Sequence, residues 1–144
     1  MNVHQLLSIS PVVPVVTIRD ADKAVPVALA LLDGGVRVIE VTLRTEASLD
    51  CIERIARELP SMTVLAGTVC HVSQVQASLA AGATGIVSPG LTEALAAAVE
   101  TAGVAWLPGV ATASDILRGL ALGLDCFKLF PASIVGGPEA LRAF

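Results

Sequence analysis

The chain has 144 residues, 54% of them hydrophobic and 15% charged, with a formal charge of -4, which suits one domain with a sizeable core. Without a basic cluster there is nothing for nucleic acid or an anionic membrane to recognise. Despite a mean hydropathy of +0.78, no apolar run approaches the roughly 20 residues that span a bilayer.

The opening stretch MNVHQLLSIS lacks a basic n-region, so no secretory leader is expected. After it, short β-branched runs alternate with alanine-rich amphipathic stretches. The periodicity predicts strands over 12–17, 37–43, 63–66, 84–87, 104–107 and 125–130, and helices over 20–33, 46–59, 71–81, 91–102 and 112–122. Glycine recurs where each helix hands over to the next strand, in LDGGVRV, AAGATGI, TAGVAWL and ALGLDCF. There it suits a helix C-cap, because it takes positive φ without strain. Asp20, Thr45, Thr92 and Ser114 are the expected N-caps. No linker or low-complexity segment interrupts this, so residues 1–144 read as one domain.

Strict βα alternation demands parallel strands, in a doubly wound sheet or a (β/α)8 barrel. TIRDADKA, after the first predicted strand, has no glycine-rich dinucleotide fingerprint. The strands end instead in LRTE, AGTV, SPG, LPG and FPA, placing polar and turn residues where barrel enzymes build their sites. The α/β class expected is therefore the (β/α)8 TIM barrel. Three scattered cysteines, Cys51, Cys70 and Cys126, form no CxxC pair, which suits reduced thiols of the cytoplasm. Two distant histidines, His4 and His71, argue against a His-rich metal centre.

Side chains alternate faces along a strand. In RVIEVTLR the aliphatic Ile39, Val41 and Leu43 should meet the helices, leaving Glu40, Thr42 and Arg44 to point inward. In DCFKLFPA the same parity sends Phe127 and Leu129 to the helices and Lys128 and Phe130 inward. A glutamate and a lysine then share one enclosed space. They are a buried structural ion pair, or exposed residues at bulges, or a catalytic pair. Burial rarely makes an ion pair a net source of stability, and both residues fall near strand C-terminal ends, so the catalytic reading is preferred. A lysine among apolar side chains loses hydration of its charged form, which favours the neutral amine. Such an amine attacks a carbonyl to form a Schiff base, an electron sink for C–C cleavage. Glu40 would supply general acid–base catalysis and Arg44 a fork for a carboxylate. The chain's only other lysine, Lys23, falls in the first turn of a predicted helix and reads as a solvated surface group.

Taken together and in order, GGVRVIEVTLRTE, AGTV, SPGLTE, LPGVATASD and FKLFPA resemble the 2-keto-3-deoxy-6-phosphogluconate (KDPG) aldolases, which also act as 4-hydroxy-2-oxoglutarate (KHG) aldolases. The resemblance implies a metal-independent class I aldolase of the cytoplasm, a homotrimer of (β/α)8 barrels that needs no cofactor. It acts on a phosphorylated 2-keto-3-deoxy sugar acid and does not engage nucleic acid or membrane. It makes Lys128 the Schiff-base lysine and Glu40 the proton-transfer residue. Arg44 and Thr68 would hold the pyruvyl carboxylate region, and Pro89 and Phe130 would line the pocket. Where the family often has Glu after FPA, this chain has Ser133. The resemblance further implies two βα units beyond Phe144, so that residues 1–144 form a barrel truncated after its sixth strand and lack the phosphate loops. A phosphogalactonate-specific relative, and a non-catalytic barrel fragment, stay open as alternatives.

Overall fold

The computed structural model describes residues 2–144. Helix α1 (Val3–Ile9) precedes strand β1 (Val15–Val16). A 3₁₀ turn (Ala21–Lys23) leads into α2 (Ala24–Asp33), and then come β2 (Val38–Thr42), α3 (Ser48–Glu58), β3 (Thr63–Gly67), α4 (Val72–Ala80) and β4 (Gly85–Ser88). The chain continues through α5 (Glu93–Ala102), β5 (Ala105–Val110), α6 (Ala113–Ala121), β6 (Lys128–Leu129) and α7 (Gly137–Ala143). The six strands are parallel and lie in chain order, β1-β2-β3-β4-β5-β6. A doubly wound sheet reverses its strand order at a switch point; this one does not. No helix among the described residues is long and apolar enough to cross a membrane.

Alternation along the strands divides the apolar residues in two. Ile39, Val41, Val64, Ala66, Ile86 and Trp106 meet Ile52, Ile55, Val75, Leu95 and Val99 of the helices. On α3 the buried positions Ser48, Cys51, Ile52 and Ile55 repeat at helical spacing. Burying each large aliphatic side chain contributes about 1.5–3 kcal/mol. Burial also pushes the Cys51 thiol up, so it stays protonated in this layer. A second cluster, Val38, Leu65, Val87 and Ala105, occupies the opposite face of the sheet and packs on Leu6 of α1.

Sequence patterning missed α1. Its seven residues are marginal as an isolated helix. It is held by a reciprocal cap, in which the Asn2 side chain accepts from Gln5 N–H and the Gln5 side chain accepts from Asn2 N–H, both at 2.9 Å, and by burial of Leu6.

The outer strands are shorter than expected. The span 12–17 reduces to Val15–Val16, with Pro14, which has no N–H, contributing only its carbonyl to Glu40 N–H. The span 125–130 reduces to Lys128–Leu129. In its register, Gly109 opposite Lys128, the residue facing Phe127 is Pro108. Phe127 still packs toward α6, where a Cβ on Gly119 would lie 2.2 Å from its ring. Gly82, Gly103 and Gly123 all take positive φ at the helix-to-strand joints. Among the caps, Thr92 accepts from Leu95 N–H and Asp20 caps the 3₁₀ turn. Thr45 sits two residues before Ala47, the cap position of α3, and is bonded to Ser48. The cap of α6 is Thr112 rather than Ser114.

The Asp115 carboxylate accepts from Ala111 N–H, Thr112 N–H and the Thr112 hydroxyl. The Ala111 bond, then the Thr112 hydroxyl, hold Asp115 below the ordinary value of 3.8. A lowered carboxylate contributes stability that is present above its unfolded value and lost as pH falls through its folded one. Asp115→Ala should therefore cost about 1 kcal/mol at neutral pH, and the gap to wild type should narrow below pH 3.8. Urea melts at neutral and acid pH check this.

Candidate active site

β2 and β6 begin the site. Glu40 lies mid-strand in β2 and Lys128 opens β6, and both project to the same side of the sheet. The Lys128 ammonium donates to both carboxylate oxygens of Glu40, with Nζ 3.2 Å from Oε1 and 3.1 Å from Oε2. Glu40 is only 3% exposed, while the Lys128 side chain keeps 23% of its surface, so the amine faces open space and the carboxylate lies behind it. Lys128 Nζ also sits 5.4 Å from the centroid of the Phe130 ring, within cation–π range. The surroundings are less apolar than expected, because the carboxylate itself supplies one wall of the lysine's environment.

Glu40, Arg44, Thr68, Pro89, Lys128 and Phe130, the six expected site residues, line one cavity of about 360 Å3. Thr68 and Pro89 immediately follow β3 and β4, and Arg44 lies two residues past β2. These are the C-terminal ends of the strands, where parallel βα folds place their chemistry. Arg44 is exposed at the rim, and no hydrogen bond or ion pair engages its guanidinium among the described residues. Val15, Leu129 and Ala132 complete the wall. Patterning did not select Val15 or Ala132, and it sent Leu129 to the helix side; β6 is only two residues long, too short to hold that alternation, and Leu129 lines the cavity instead.

Two backbone features shape the cavity. Gly109, the register partner of Lys128, lets β5 approach the Pro89 loop so closely that a Cβ there would lie 2.2 Å from the Pro89 carbonyl oxygen. Thr68 has φ of 60°, a left-handed conformation unusual for a β-branched residue. It is held in place by its neighbour, whose Val69 N–H donates to Val87 carbonyl at 3.2 Å. Such strain costs about 1–3 kcal/mol. Thr68→Gly removes it while adding unfolded-chain entropy of about 0.5–1 kcal/mol, so the melting temperature should rise; calorimetry measures the shift.

A larger groove, about 500 Å3, runs between α1, α5 and residues 122–126. Its hydrogen bond between His4 Nε2 and Asp125, at 3.0 Å, is exposed on both sides. Burial, followed by the Asp125 charge, pushes the Cys126 thiol up, away from the thiolate needed of a nucleophile. It holds no lysine, so the smaller cavity is the candidate active site.

Fold and site together define a class: a parallel βα enzyme domain with a lysine–carboxylate pair at the C-terminal ends of its strands. The chain belongs to the KDPG and KHG aldolase family, whose model matches residues 3–144. It is 47% identical to the 2-dehydro-3-deoxy-phosphogluconate aldolase of Pseudoalteromonas atlantica, over 97% of this chain and 65% of that one. It is 45% identical to the KHG/KDPG aldolase of Escherichia coli K12, over 99% and 67% of the two chains. Among solved structures, the KDPG aldolase of Legionella pneumophila with pyruvate captured as a covalent carbinolamine matches with a TM-score of 0.92 at 39% identity. That match covers 96% of this chain and 67% of the other. The chain thus spans about two thirds of the length of these relatives.

Proposed function

We propose that this chain carries the imine-forming site of a class I aldolase. Its substrate is 2-dehydro-3-deoxy-6-phosphogluconate, split into pyruvate and glyceraldehyde 3-phosphate. The same site splits 4-hydroxy-2-oxoglutarate into pyruvate and glyoxylate. The observation that carries the reading is the Lys128 amine against both Glu40 oxygens, at 3.1–3.2 Å, in one cavity. The relatives' names support the substrates.

In this mechanism Glu40, directly or through a water, takes the proton that frees the Lys128 amine. The amine adds to the C2 ketone, and the carbinolamine loses water to give the iminium, with Glu40 returning the proton to the departing hydroxyl. Glu40 then removes the C4 hydroxyl proton. The C3–C4 bond breaks, its electron pair passing into the iminium to form an enamine as the aldehyde leaves. Protonation of the enamine at C3 and hydrolysis release pyruvate and restore the amine. The iminium is the electron sink, so the steps call for neither metal nor organic cofactor. Arg44 holds the substrate carboxylate as a planar fork, with the Thr68 hydroxyl beside it, while Pro89 and Phe130 pack on the pyruvyl carbons.

The same reading takes residues 1–144 as six units of an eight-unit (β/α)8 barrel, in keeping with the two-thirds coverage of the relatives. Two further units supply the phosphate loops, and the complete protein assembles as a cytoplasmic homotrimer. The deciding experiment is incubation with pyruvate and borohydride followed by intact mass. One reduced three-carbon adduct is expected, and its absence removes the imine mechanism.

A further inference from the structure

Gly67 ends β3 in register with Thr42 of β2. By strand alternation it faces the same side as Leu65 of the inner cluster. Unlike Gly82, Gly103 and Gly123, it is not at positive φ, so nothing in its backbone asks for glycine. A strand interior also gains nothing from one: glycine there weakens pairing and often marks close approach of another group. The group that approaches is Glu40. A Cβ on Gly67 would lie 2.3 Å from Oε1, 2.5 Å from Cγ and 2.7 Å from Cδ of that side chain. Carbon atoms pack comfortably at about 3.5–4.0 Å, so a single methyl would drive the carboxylate aside by about 1 Å. Val15 and Leu65 flank Glu40 in the sheet register, and the residue is 3% exposed, so it has little room to give way except by leaving Lys128.

We infer that Gly67 is a positioning residue: the side chain it lacks is the seat in which the Glu40 carboxylate lies against the Lys128 amine. This rests on the imine reading above and deepens it. Gly67 touches neither substrate nor reacting atoms, and acts by fixing where the proton-transfer group sits. Misplacing a reacting group by about 1 Å can cost on the order of 100-fold.

The test is a double-mutant cycle on this chain with two readouts, the rate of borohydride-trapped pyruvate adduct formation and thermal melting, in wild type, Gly67→Ala, Glu40→Ala and the double variant. Gly67→Ala alone should slow trapping by about 10–100-fold and lower the melting temperature. In the Glu40→Ala background the same methyl enters the emptied space, so trapping should change less than about twofold and melting hardly at all. A general structural role for Gly67 would instead slow both backgrounds alike, and that additive outcome overturns the inference, as does wild-type trapping by Gly67→Ala. If Gly67→Ala does not fold, recovery of folding in the double variant supports the seat, and failure of both overturns it. If wild type takes no adduct, the imine reading falls on that result alone, and the melting cycle still decides whether Gly67 seats Glu40.

Discussion

Lys128→Arg should take no borohydride-trapped adduct with pyruvate and should lose cleavage activity by at least about 10³-fold, the scale on which removing a nucleophile acts. The substitution retains a cation of similar reach beside Glu40 and Phe130, so the ion pair that fills the cavity floor has a replacement and the chain should stay folded. The guanidinium stays protonated in proteins and does not add to a ketone. Peptide mapping of the wild-type adduct should place it on residue 128. The one competing amine among the side chains, Lys23, lies exposed in the 3₁₀ turn before α2, outside the cavity residues. An adduct on Lys23, or a trapped adduct surviving in Lys128→Arg, would assign the imine elsewhere.

Glu40→Gln should lower kcat by roughly 10²–10⁴-fold while pyruvate adduct still forms slowly. The amide keeps the shape that fits against Gly67 and offers Lys128 one oxygen, but it cannot take up or return a proton. The loss should therefore appear in turnover more than in the ability of Lys128 to meet a ketone. Stability responds separately, because removing one charge leaves the Lys128 ammonium without its carboxylate partner. Steady-state kinetics and a thermal melt of the same sample distinguish the two. A kcat within a few-fold of wild type would make Glu40 structural and send the search for a proton shuttle to ordered water.

The parity of two strands made the centre of this site readable before any coordinates. RVIEVTLR has one aliphatic face, so Glu40 had to lie on the other, and alternation from Phe127 likewise placed Lys128 inward, although Leu129 does not keep to the helix side and lines the cavity too. Their meeting is a consequence of side-chain period 2 in strands that share one sheet. Thr68 and Pro89 were named only through resemblance, because a threonine in a turn carries no pattern, and its left-handed φ of 60° follows from the clamp on Val69. Gly67 illustrates the limit more sharply. Its meaning is a distance to a side chain 27 residues earlier in the chain, which no local window contains. The edge strands were overextended because β-branched runs mark where pairing is favourable, whereas Pro14 and Pro108 decide where it is available. The cap of α6 is legible in the sequence: Thr112 and Asp115 stand at capping-box spacing, whereas Ser114 has a suitable side chain but lies inside the first turn.

One hydrogen bond in the core has an optical consequence. The chain contains one tryptophan and no tyrosine, so its emission under near-ultraviolet light comes from a single indole. Trp106 Nε1–H donates to Ser88 at 2.9 Å, and the Ser88 hydroxyl donates in turn to the Gly90 carbonyl at 2.7 Å, straddling Pro89 of the cavity wall. The indole is packed on the helix side of β5, screened from solvent, yet tied to the rim of the site by this short bridge. A ligand that displaced the Pro89 loop would disturb this bridge and with it the polarity and quenching around that one ring, so a change in tryptophan emission on adding pyruvate is the expected optical sign of occupancy.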